Sequence, residues 1–488
     1  MIDQLHIPWL VCMLLSPSVG IAVQWRQRDP DKCWKSALIA TGITLLFATG
    51  AWLDFSSLHV HEAHDYGELI ARWSGPNWLV LDEFSSPLVP LGAFIHFLVV
   101  LMTPSTERRR FTFRGLLLSE ILLLLLLICR EPWGIILFLL LAILPPYLDL
   151  RSRGRSTRNF VLHSGLFALL LVVGWMLLPE DLSAKGSSIG MVLLIFAILV
   201  RSGSIPVHCW MTDLFENASF GMSLLYVTPM SGAYAAVRLI LPNASSSLLY
   251  LLGFVALVTA VYAAGMALVQ KEARRFYCYL FLSLASLVLV GLEVASPLGL
   301  TGALCVWLSV GISMAGFGLT LRAVECRTGR ISLSDYHGLY DHMPMLAVFF
   351  LLTGLACIGF PGSVGFIGAE MLVEGVMSAY PHVGFLVILA AALNGIAVMS
   401  AYFKLFTGDI HTATISLGVR PAERTAVWIL SILILGGGMF PQQGVESRYH
   451  AANEILAERP DASSSSNDTS SQESTHTVDT TGNEPSHP

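Results

Sequence analysis

Residues Phe196 to Arg238 read FAILVRSGSIPVHCWMTDLFENASFGMSLLYVTPMSGAYAAVR. An apolar run carries Arg201 and then breaks at Ser202-Gly203-Ser204-Ile205-Pro206. Hydrocarbon offers no water to freed backbone groups or to a charge. A broken, charged helix therefore persists at membrane depth mainly where it lines a bundle interior or a hydrated path. The stretch points to ion or proton movement through a helical membrane protein.

Working outward, the whole chain supports that setting. It has 488 residues, of which 54% are hydrophobic and only 13% charged. Its mean hydropathy is +0.67, far too apolar for an ordinary soluble domain. Since ~20 apolar residues span a bilayer as a helix, about fourteen candidate spans fit between Leu10 and Met439. The net charge of −6 matters less than how the charges are distributed. If the first span enters from outside, one set of loops collects Arg26, Arg28, Lys32 and Lys35, then Arg108 to Arg110, then Arg151 to Arg158. The same side continues with Lys271, Arg274, Arg275, Arg322, Arg327, Arg330, Arg420 and Arg424. The opposite loops hold Arg72, Arg130 and Lys185 before the tail. The positive-inside rule then places both termini outside a cell inner (plasma) membrane.

The start, MIDQLHIPWLV, lacks a basic n-region and reads as the first span rather than a cleaved leader. The eight cysteines are scattered and include no CxxC pair, so no iron–sulfur or zinc framework is expected. His59, His61 and His64 lie in a loop without a further ligand set, and no metal site is expected there. No glycine-rich nucleotide loop is present, so no cofactor is expected on this chain. Nucleic acid is not an expected partner; the bilayer is.

The chain divides into N-terminal helices and an outer loop (1–85), a core of nearly continuous spans (86–407), and an inner segment with the last helix (408–442). A Ser/Thr/Asn/Asp/Glu-rich tail (443–488) has the composition of a disordered segment.

Five motifs carry a family resemblance. Leu81-Asp82-Glu83-Phe84-Ser85-Ser86-Pro87-Leu88 resembles LDGLSLPL, and Ile205-Pro206-Val207-His208-Cys209-Trp210 resembles VPLHGWLPDAH. Glu272-Ala273-Arg274-Arg275-Phe276-Tyr277-Cys278-Tyr279 is similar to DIKRLLAYS. Arg327-Thr328-Gly329-Arg330 through Met343-Pro344 is similar to ERTGTRDLSAYGGLARRMP, and Gly359 through Gly368 to GLPGTSGFVGE. In order and spacing these resemble the antiporter-like membrane subunits of respiratory complex I, most of all the M-type chain of NADH-quinone oxidoreductase. Mrp-type antiporter subunits are relatives. The resemblance implies an all-α membrane protein of about fourteen transmembrane helices, with two inverted five-helix repeats containing broken helices. It also implies other membrane subunits as partners, with NADH and quinone bound only through them.

The resemblance further implies a proton relay: a glutamate in helix five, lysines in helices seven and eight, a histidine in helix eleven, and a glutamate or lysine in helix twelve. Leu140 stands at the helix-five position and Arg201 at helix seven. Met230 stands at helix eight, Val310 at helix eleven, and Ala369 at helix twelve with Glu370 one residue later. Arginine stays protonated where a buried lysine can release its proton, so Arg201 is not an equivalent replacement.

The proton-path candidates that remain are Glu120, Arg201, His208, Glu370, Glu374 and Lys404. Glu120 lies in a very apolar span and needs a partner or a proton, and Arg201 is the expected partner. His208 suits proton uptake or simple capping. Glu370 and Glu374 share a helix face that suits an outlet or a subunit contact, and Lys404 suits snorkelling. Two functions follow: a proton-translocating subunit of a complex I-like oxidoreductase, or a structural paralogue that has lost its relay. A membrane-embedded catalyst using His208 and Asp213 lacks a convergent nucleophile and base.

Overall fold

Long apolar runs close their backbone hydrogen bonds within themselves, and that is what the chain does in the computed structural model, which describes residues 4–65, 75, 77–179, 188–294, 296–409 and 418–459. Eight described helices are long and apolar enough to cross a membrane: Pro30–Leu58, Pro132–Ser152, Arg158–Met176, Ser246–Val269, Ala273–Glu293, Pro297–Thr328, Pro381–Phe406 and Pro421–Met439. Shorter apolar helices, Leu88–Leu101, Ile189–Ser202 and Pro344–Cys357, accompany them, together with Trp9–Arg26 and Phe113–Leu127. Ala273–Glu293 and Pro297–Thr328 are buried along most of their length and form the centre of the bundle. Small residues let neighbours approach them: Gly316 meets Thr353, and Gly318 meets Leu224 and Tyr277.

Ion pairs gather the basic loops at one end. Arg108 bonds Asp31 at 2.7 Å, Arg322 bonds Glu107 at 2.7 Å, Arg274 bonds Glu325 at 2.8 Å and Arg327 bonds Glu423 at 2.5 Å. Burial alone would raise the Glu107 carboxyl, but the Arg322 guanidinium holds it below its usual value. At the other end a two-stranded antiparallel sheet pairs β1 (Glu62–His64) with β2 (Val80–Asp82), placing Ala63 opposite Leu81. Arg130 bonds Glu62 there and reaches Glu458 at 3.0 Å.

Three interruptions shape the interior. Ile189–Ser202 starts with the Ser188 hydroxyl accepting from Met191 N–H at 3.2 Å and ends at Gly203, whose φ of +72° favours glycine. The chain resumes helix at Cys209–Asn217, so the break falls where Gly203 and Pro206 predict it. Helix Phe220–Val227 then stops, Met230 turns through φ +52°, and Ser231–Ala235 continues into a π-helical turn at Ala236–Ile240. The last interruption separates Pro344–Cys357 from Phe366–Ala379, with Gly359 and Gly362 at φ +75° and +85°. There Val364 N–H donates across to Ile434 C=O at 2.9 Å, so Pro421–Met439 supplies a bond that the break cannot make for itself.

One expected boundary is corrected. Residues assigned to the polar tail from 443 onward include a helix, Gln442–Ala457, packed against Pro297–Thr328. Ala451, Ala452 and Ile455 are buried beneath it, and Arg448 donates to the Phe84 carbonyl at 3.0 Å and to the Glu83 carbonyl. The apolar stripe is short, which is why composition alone hid it. The tail beyond 459, Arg72 and Lys185 lie outside the described residues.

Candidate functional site

Arg201 is the last but one residue of its helix, and the Gly203 break leaves its side chain pointing into the gap made by the neighbouring break at Thr228–Met230. It is buried. Nη2 donates to the Ser231 hydroxyl at 2.6 Å and to the Tyr226 carbonyl at 3.1 Å, a carbonyl freed because the helix stops there. The guanidinium lies over the Tyr226 ring, 4.0 Å from its centroid. One break thus aims the charge and the other supplies the acceptors that make it tolerable.

Arg201 borders three small cavities. One of ≈ 20 Å³ is bounded by Met211, Met230, Phe281 and Ala285. A second, of ≈ 30 Å³, is bounded by Ser119, Ala142, Pro146 and Ser231. The third, of ≈ 10 Å³, runs toward His163 and Ser164. Volumes of this order hold about one water each where the wall is polar. Met230, where the family resemblance places a lysine, lines the first cavity.

Glu120 is fully buried, and neither carboxyl oxygen has a hydrogen-bond partner among the described residues. The expected pairing with Arg201 is not formed. Helix rotation gives the reason. Ser119, Leu123 and Leu126 border the Arg201 cavity, while Leu117 lies against Gly20 of Trp9–Arg26. At ~100° per residue, Glu120 falls outside the arc of Ser119, Leu123 and Leu126, toward the Leu117 side.

The other candidates are dispersed. His208, in the break, is half-buried beside Tyr262 and Tyr279, with its Nε2 3.5 Å from the Tyr279 hydroxyl. Glu370 and Glu374 are exposed on one face of Phe366–Ala379. Lys404 is partly exposed near the end of Pro381–Phe406, whose terminal carbonyls accept from a returning loop (His337 N–H to Lys404 C=O, 2.9 Å; Leu339 N–H to Leu405 C=O, 3.2 Å). Sequence reasoning missed Ser231, Ser119 and His96. His96 is buried, with Nδ1 2.8 Å from the Gly92 carbonyl and Nε2 3.1 Å from the Ser119 hydroxyl. Its one signal was a lone polar ring inside LVPLGAFIHFLVVL. Among the described residues no cluster of His, Cys, Asp and Glu is arranged to hold a metal.

Interrupted helices around a buried cation define an antiporter-like polytopic membrane protein. Residues 155–396 match the family described as NADH:quinone oxidoreductase/Mrp antiporter, TM. The chain is 27% identical over 499 residues to NAD(P)H-quinone oxidoreductase chain 4 of Synechococcus sp. (strain WH7803), covering 93% of this chain and 90% of the relative. A chain of respiratory complex I from Thermus thermophilus superposes with a TM-score of 0.79 at 22% identity, covering 92% of this chain and 99% of that one. A chain of the Mrp complex from Dietzia sp. gives 0.78 at 19% identity, covering 92% and 96%. Those two likenesses concern the fold.

Proposed function

We propose that this chain is a proton-translocating membrane subunit of a complex I-like NADH:quinone oxidoreductase or a related multi-subunit membrane complex. NADH and quinone are handled by partner subunits. The reading counts each interrupted pair of helices as one crossing, which gives fourteen, with the two five-helix repeats inverted and both termini on the outer side of the plasma membrane. Residues 86–407 form the conducting core.

The observation that carries it is Arg201 bordering three water-sized cavities. An arginine does not release its proton, so its task is to set the field in which water and neighbouring groups exchange theirs. Ser231, Tyr226 and the cavities hold it in place, and protons pass beside it. Glu120, His208, Glu370, Glu374 and Lys404 are the other ionisable groups assigned to the route.

The test is to isolate the chain with its partners from native membrane in mild detergent, identify them by mass spectrometry, and reconstitute the assembly into liposomes. Electron transfer to quinone accompanied by proton movement, lost in Arg201→Met, supports the reading. An assembly that transfers electrons with unchanged proton movement in Arg201→Met overturns it in favour of a structural paralogue.

A further inference from the structure

We infer that His96 and Ser119 form a proton-holding site on the Arg201 cavity, with Nε2 of His96 as the accepting atom; this rests on the translocation reading above. The Gly92 carbonyl, 2.8 Å from Nδ1, can only accept, so Nδ1 carries a hydrogen. That leaves Nε2 as the ring's free base. It faces the Ser119 hydroxyl at 3.1 Å.

Ser119 has one hydrogen and two acceptors competing for it. Its Oγ stands 2.7 Å from the Leu116 carbonyl as well as 3.1 Å from Nε2. With His96 neutral, the hydroxyl donates to Nε2. With His96 protonated, Nε2–H donates to Oγ and the hydroxyl turns to Leu116. Ring charge and hydroxyl direction are therefore one two-state element. Both states satisfy Nδ1, Nε2 and Oγ, which is what a proton store inside hydrocarbon requires.

The cavity connects this element to Arg201. Ser119 and Arg201 border the same ≈ 30 Å³ space, large enough for about one water. A proton on that water passes to Oγ as the hydroxyl's own hydrogen passes to Nε2, so Ser119 ends with one hydrogen as it began. The return runs in reverse. Arg201 opposes a second positive charge nearby, which makes the imidazolium a state that is quickly emptied. Glu120, the residue after Ser119, lies on the adjoining face of the same helix. The site thus occupies the role left open by Leu140 and Met230 without reusing either position.

The experiment uses the assembled complex in liposomes, reading protons moved per electron pair with an internal pH dye. Expected are a loss of about tenfold or more in His96→Gln, a several-fold loss in Ser119→Ala, and near-normal movement in Ser119→Thr, which keeps the hydroxyl. Should His96→Gln not assemble, Ser119→Ala decides, since it removes one oxygen and leaves the ring. Wild-type-like proton movement in assembled His96→Gln or in Ser119→Ala overturns the inference alone. Absence of proton movement in the wild-type complex overturns the translocation reading instead.

Discussion

Arg238 grips Asp82 with two nitrogens, Nη1 to Oδ2 at 2.7 Å and Nη2 to Oδ1 at 2.9 Å. The pair joins β2 to the π-helical turn after the Met230 break, and Phe84, two residues on, stacks on Tyr234 at 5.4 Å between centroids. The two-stranded sheet and the interrupted helix are thereby tied together.

Removing one partner of a buried pair strands the other. Asp82→Asn is expected to lower stability by about 3 kcal/mol or more, read as a lower unfolding temperature in detergent. Burial alone would raise the Asp82 carboxyl, but Arg238 and Arg130 bring it down to about 2. A depressed carboxylate contributes stability above its unfolded value and loses it as pH falls. The wild type should therefore weaken between about pH 4 and pH 2, and Asp82→Asn should lack that component.

Glu120→Gln replaces a carboxyl whose oxygens have no partner among the described residues, so no hydrogen bond seen there is lost. Assembly and unfolding temperature are expected to stay close to wild type, while proton movement in liposomes is abolished. Undiminished proton movement would remove Glu120 from the route.

Arg201→Lys keeps a charge but forfeits the planar contact with Tyr226 and the shared reach to Ser231 and the Tyr226 carbonyl. A cost of about 1–3 kcal/mol in thermal stability is expected. Because a buried lysine can titrate, proton movement should acquire an alkaline dependence absent from the wild type, measured as rate against pH.

Arg448 anchors Gln442–Ala457 through the Glu83 and Phe84 carbonyls. Arg448→Ala should release this helix, so that limited proteolysis cuts between 440 and 459 at protease levels that leave the wild type whole. The bundle itself should remain folded.

The Gly203–Pro206 break, the buried arginine and the basic end of the bundle were legible because glycine, proline and charge interrupt an otherwise uniform apolar background. What Arg201 touches was not. Glu120 and Arg201 differ from their neighbours in the same way along the chain, and only the rotation of Phe113–Leu127 shows that Ser119 faces the cavity and Glu120 does not. Met230 in a left-handed conformation had no signal, since an unbranched apolar residue is unremarkable in an apolar run. Gln442–Ala457 was hidden for the opposite reason: three buried apolar positions and one arginine are enough to dock a helix that reads as polar.

The bond from Val364 to Ile434 has a consequence for biosynthesis. A ribosome delivers the break around Val364 to the bilayer well before Ile434 exists, and until then that amide has no backbone partner in hydrocarbon. The third interrupted helix is completed only when the last span arrives, so a nascent chain stopped short of Pro421 should remain a client of the insertion machinery rather than a finished bundle.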